Sequence, residues 1–175
     1  TGTTSFGSSG ELKMDTGAAT KGHGGDYRLL VGTGDCGNGG SIHVTAGETT
    51  NDRFAGGDIL MIAGLGSSKD VNDGGDGGKI VLTGGVGEGA REIDNGGDVF
   101  LNGGQAANGE GGAINIRTGV SRGTSSGGVV VKTNNAGGGR TGGVSGSITI
   151  ETGTTSFGNS GYFRLQTGLA RDGKG

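Results

Sequence analysis

Apolar residues recur at fixed places after a repeating glycine. Anchors stand at Gly10, Gly25, Gly40, Gly57, Gly78, Gly97, Gly112, Gly127, Gly146 and Gly161, each opening the phrase glycine, any, apolar, any, apolar, any, small, glycine. The second position holds Leu12, Tyr27, Ile42, Ile59, Ile80, Val99, Ile114, Val129, Ile148 and Phe163. The fourth holds Met14, Leu29, Val44, Met61, Leu82, Leu101, Ile116, Val131, Ile150 and Leu165. Alternation of this kind puts every second side chain on one face, as in a half-buried strand. No stretch shows the 3.6-residue period, so the chain is expected to contain no helix.

Glycine closes the phrase at Gly17, Gly32, Gly47, Gly64, Gly85, Gly104, Gly119, Gly153 and Gly168, with Asn134 as the one substitute. Asparagine tolerates left-handed backbone better than most residues, so these positions are expected to turn the chain with positive φ. The sixth positions, such as Thr16, Val31, Ala46, Gly84 and Gly103, are small or modest in size. That fits a corner where two stretches of backbone come close. About seven residues rich in Gly, Ser and Thr then lead to the next anchor, several carrying a central glycine (Gly22, Gly37, Gly109, Gly158, Gly173).

A unit this short cannot bury its apolar positions alone, whereas stacked units can. The expected fold is therefore all-β: a parallel β-solenoid of one strand per coil, with coils of 15–21 residues and the second and fourth positions as its core ladder. The alternative is a polyglycine-II-like bundle, which stretches such as 136–143 would suit. Period-two pairing is not required by that packing.

A longer repeat encloses the short one. Residues 1–24 align without a gap to 152–175, and 14 of the 24 positions are identical. Residues 1–151 thus make one tandem period and 152–175 begin the next. We expect residues 1–175 to be one continuous segment of about ten coils.

Composition narrows the class. Glycine supplies 48 of 175 residues and proline none, which rules out collagen. Net charge is −3 with both signs dispersed, so no basic face invites nucleic acid or anionic lipid. No run of about 18 apolar residues provides a membrane-spanning helix.

Chemistry-bearing residues are sparse. His23 and His43 lie in different repeats with no second ligand at useful spacing. Acids do not recur once per repeat as an obligate calcium motif requires, although Asp73 and Asp76 would meet an opportunistic ion. Glycine clusters lack the helix N-terminus of a phosphate loop. Threonines at the sixth position are interrupted by Val31, Ala46, Ala63, Gly84 and Gly103, too irregular for a clean ice-binding face. Cys36 is the lone cysteine and has no internal partner. No nucleophile–base set can be assembled, so neither enzymatic activity, metal nor cofactor is expected. Leu60, Ile62, Val81 and Phe100, at third or fifth positions, point away from the ladder and form a candidate lateral interface.

The units GSITIETGTTSFGNSGYFRLQTG and SSGGVVVKTNNAGGGRTGGVSG resemble the long glycine-rich tandem-repeat proteins of algal and other protist genomes. The resemblance covers essentially the whole chain. It implies fibrous material at the cell surface or outside the cell, with no active site to carry over. The expected role is structural: a segment of an extracellular filament built by self-association, end to end and laterally. A surface adhesin, or a shaft that binds ice or glycans, is the alternative.

Overall fold

In the computed structural model the described residues are 3–91, 93–137 and 142–171. The chain divides into two units, Thr1–Thr83 and Gly84–Gly175, and each is taken by itself. Gly173, residues 172–175 of the tandem match and residues 138–141 of the glycine-rich alternative lie outside the described residues.

Both units keep the short period. In the first, the chain bends at 5–7, 20–22, 35–38, 51–53 and 71–73. In the second it bends at 107–109, 122–124 and 156–158 and around residue 91. Every bend falls in the polar segment that links one apolar phrase to the next. The apolar phrases themselves contain no bend.

The expected β-solenoid is not formed. Among the described residues there is neither helix nor strand, so the all-β assignment is corrected to irregular backbone with periodic bends. A parallel ladder needs neighbouring phrases about 4.8 Å apart, exchanging backbone bonds along their length. Here the backbone bonds lie instead at the ends of the loops. Gly57 N–H donates to the Gly47 carbonyl at 2.9 Å and Gly78 to Gly64 at 2.9 Å. In the second unit Gly97 donates to Gly85 and Gly112 to Gly104, both at 2.8 Å, and Gly127 to Gly119 at 3.3 Å. Each bond joins an anchor glycine to the seventh residue of the preceding phrase. The linking segment is thereby pinched into a loop with nearby ends, the Ω form.

The sixth residue differs from neck to neck. With Gly84 or Gly103 there, the bond is 2.8 Å; with Ala46 or Ala63, 2.9 Å; with Thr118, 3.3 Å. At Thr16, Val31, Thr133 and Thr152 no such bond forms. A Cβ on Gly40 would lie 2.5 Å from Val31 Cγ1, and one on Gly25 3.3 Å from Thr16 Cβ. The Thr16 hydroxyl donates to the Gly25 carbonyl at 3.0 Å, replacing the missing backbone bond.

Glycine's role at the two ends of the phrase is therefore the reverse of the expectation. None of the seventh-position residues has positive φ. A Cβ at Gly17, Gly32, Gly47, Gly64, Gly85, Gly104, Gly119, Gly153 or Gly168 would meet nothing within 4 Å. Asn134 therefore sits where any side chain has room. The constraint lies at the anchors: a Cβ on Gly112 would stand 2.9 Å from Gly104 N, and one on Gly97 3.0 Å from Gly85 N. Positive φ occurs within loops, at Gly7, Gly37, Gly137, Gly142, Gly158 and, without glycine's freedom, Arg53 (φ 68°).

No hydrophobic core forms among the described residues. The accessible surface is 18177 Å², against about 7,700 Å² for a compact monomer of this size and about 24,500 Å² for its unfolded chain. The strongest cover gathers at or near the necks, where Ala46, Ala63 and Gly84 are among the few half-buried residues.

Candidate functional site

Exposure follows the alternation even though burial does not. Ile42, Ile59, Ile80, Ile114 and Ile148, all at second positions, are 53–55 % exposed. Leu60, Ile62, Val81 and Phe100 are 77–79 % exposed. Leu12, Met14, Leu29, Val44 and the other ladder residues are likewise on the surface. The second-position isoleucines are thus the more covered, Leu12 and Leu165 on the ladder are as open as Leu60 or more so, and neither edge is closed off from water. Val71 and Ile93, from the long loops, are exposed as well and do not cover the third- and fifth-position side chains.

The most exposed apolar groups lie in the loops. Phe6, Phe157, Val71, Val144 and Leu169 each stand almost fully in water. Phe6 and Phe157 occupy equivalent places in the tandem match, and their surroundings recur. The Thr4 hydroxyl donates to the Phe6 carbonyl at 2.7 Å, and the Thr155 hydroxyl donates to the Phe157 carbonyl at 3.0 Å. The next residue has positive φ in both, 91° at Gly7 and 107° at Gly158. Identity of the first seven residues in the match was the available signal.

Loop 66–75 is the most organised polar region of the first unit. Asp70 Oδ1 accepts the N–H groups of Asn72 at 2.9 Å and Asp73 at 3.1 Å, an Asx-type turn. Those bonds, that from Asn72 first, hold the Asp70 carboxyl below its ordinary range. Gly75 N–H donates to the Ser68 carbonyl at 3.3 Å, and Gly66 runs against the backbone of Gly75 and Asp76. Asp73 and Asp76, the pair considered for calcium, are exposed. Among the described residues no group of three or more His, Cys, Asp or Glu side chains is arranged to hold a metal ion.

In the second unit, Asp94 closes a comparable turn. Its Oδ2 accepts Arg91 N–H at 3.0 Å while its own N–H donates to the Arg91 carbonyl at 3.0 Å. Ser121 Oγ accepts Thr124 N–H at 2.9 Å. Two ion pairs, Lys13–Asp15 at 2.7 Å and Arg28–Asp26 at 3.1 Å, sit in water and contribute little to stability.

His23 and His43 are exposed and the Cys36 thiol is free and exposed. No cavity is present among the described residues, and no helix among them is long and apolar enough to cross a membrane. The geometry therefore offers surfaces and loops. Comparison with family models, curated proteins and solved structures finds no match to the chain.

Proposed function

We propose that the chain is a structural module of an extracellular filament, assembled by lateral association of copies through the exposed apolar edges of its phrases. The carrying observation is that the periodic apolar side chains are not closed off from water within their own chain: among the described residues none is buried. Full burial of a Leu, Ile, Val or Phe side chain contributes about 1.5–3 kcal/mol. Copies carrying the same spacing of apolar groups offer that cover to one another at many points in register. The tandem period of 151 residues adds a second, longer register. The extracellular location rests on the resemblance to glycine-rich tandem-repeat proteins.

The test is sedimentation velocity across a concentration series with electron microscopy of the same samples. The parent chain is expected to associate with increasing concentration and to form filaments. The variant Leu60→Ser, Ile62→Ser, Val81→Ser, Phe100→Ser is expected to associate markedly less. A parent chain that stays monomeric throughout sinks the filament reading, and retention on immobilised glycans by that monomer would replace it with the adhesin.

A further inference from the structure

We propose that Asn38 and Asn108 are sites of spontaneous chemical modification, converting to aspartate and isoaspartate, and that the loop necks protect Asn95 and Asn102 from the same reaction. All four asparagines precede a glycine: Gly39, Gly109, Gly96 and Gly103. The chemistry is intramolecular. The glycine backbone nitrogen attacks the asparagine side-chain carbonyl carbon, Cγ, and forms a new C–N bond. Its proton and the side-chain amide group leave together as ammonia. Water then opens the resulting five-membered imide at either carbonyl. One route gives aspartate, and the other routes the main chain through the former side chain as isoaspartate. Water is the only co-reactant and no electron changes hands.

Rate depends on how freely the glycine nitrogen reaches the attacking geometry, since reactions of this type are governed by orientation. Glycine after asparagine is favourable because no Cβ obstructs the approach. None of these four glycine N–H groups donates a backbone hydrogen bond among the described residues. Their surroundings differ. Asn38 ends the bend 35–38, next to Gly37 with φ 82°, and Asn108 is central in the bend 107–109. Around Gly39 a Cβ would meet nothing within 4 Å, and at Gly109 only Ala106 Cβ at 4.0 Å. Neither linkage packs against other backbone.

Asn95 and Asn102 are held. The Asn95 carbonyl lies 2.7 Å from where a Cβ on Gly87 would stand, and Gly97 beside it is bonded to Gly85 at 2.8 Å. Gly103 runs against the Gly112 carbonyl, while Gly112 N–H is bonded to Gly104 at 2.8 Å. Rotation about either Asn–Gly linkage must first open a neck. Each conversion adds a negative charge to a chain already at −3, so the bends at 35–38 and 107–109 become more acidic with age.

The experiment incubates the purified full chain at mildly alkaline pH and follows all four asparagines by proteolytic mapping with tandem mass spectrometry. A parallel sample in guanidinium chloride removes the necks. In buffer, Asn38 and Asn108 are expected to convert several-fold faster than Asn95 and Asn102. In denaturant the four rates are expected to converge. A common rate in buffer overturns the proposal. So does a difference that persists undiminished in denaturant, because neighbouring sequence would then set it.

Discussion

The necks at Gly103 and at Val31 come from the same phrase and end in opposite states. At Gly103 the next anchor, Gly112, reaches the Gly104 carbonyl at 2.8 Å. At Val31 the isopropyl group fills that space, and no bond joins Gly40 to Gly32. Glycine or alanine at the sixth position goes with a backbone latch and valine with none, while threonine stands at latched and unlatched necks alike. Ala46 and Ala63 fall with Gly103, and Thr16 and Thr152 with Val31. The lesson is that glycine at the ends of the phrase matters as space at a meeting point, while left-handed glycines are confined to the loops.

The strongest way to break this contrast is to add bulk at a latched anchor. Gly112→Val places a side chain against Gly104 N and is expected to cost about 1–3 kcal/mol in neck closure. Loss of the nuclear Overhauser contact between residues 104 and 112 would report it. Gly104→Ala, at the open end of the same neck, is expected to leave that contact intact; equal damage from both would refute the assignment.

Exchanging the sixth residues sharpens the contrast. Gly103→Val should prop its neck open and Val31→Gly should let Gly40 N–H reach the Gly32 carbonyl. One exposed backbone bond contributes about 1 kcal/mol, close to a fivefold change in closed population. Temperature coefficients of the Gly112 and Gly40 amide shifts should move in opposite directions. If neither responds, side-chain size does not set closure.

Acid tests a loop that a side chain organises within its neck. The Asp70 carboxyl is held below its ordinary range by the N–H groups of Asn72 and Asp73. Its folded-state value is depressed, so its contribution is present above the ordinary carboxylate range and is lost as pH falls through the folded value. The amide shifts of Asn72 and Asp73 should titrate together with a midpoint below that of a free aspartate. Asp70→Ala should abolish the step while leaving the Gly112 neck unchanged.

Arg53 offers the smallest effect. Its φ of 68° costs an ordinary residue about 1–2 kcal/mol, and glycine's greater freedom in the unfolded chain offsets about 0.5–1 kcal/mol of any relief. Arg53→Gly should therefore tighten the 51–53 bend only slightly, by a modest slowing of exchange at Gly57 N–H. A clear loosening would contradict the backbone assignment.

The period of the molecule was legible in the sequence, since alternating apolar residues and recurring glycines mark each phrase and each bend. The pairing was not. Alternation states that Ile42 and Val44 share a side, but says nothing of what meets that side. The same pattern serves a parallel ladder and a series of pinched loops. Asn134 misled for a related reason: its tolerance of left-handed backbone is one explanation for its place, and open space is the other. Glycine at both ends of the phrase hid which end was crowded. Of the candidate surface, Leu60, Ile62, Val81 and Phe100 could be named from alternation. Phe6 and Phe157 fall outside the phrase and were visible only through the tandem match.

The necks also bear on force. A latch of one hydrogen bond between Gly64 and Gly78 holds ends 2.9 Å apart that are separated by 78 − 64 = 14 residues along the chain. Pulled straight, those residues span about 46–50 Å. Each loop is thus stored length behind a weak clasp, and clasps of different strength lie in series. Unlatched necks such as that at Val31 have no clasp to open, whereas those at Gly84 and Gly103 do. A strand made of such modules would lengthen in steps under load, spending energy on clasps before any covalent bond is strained.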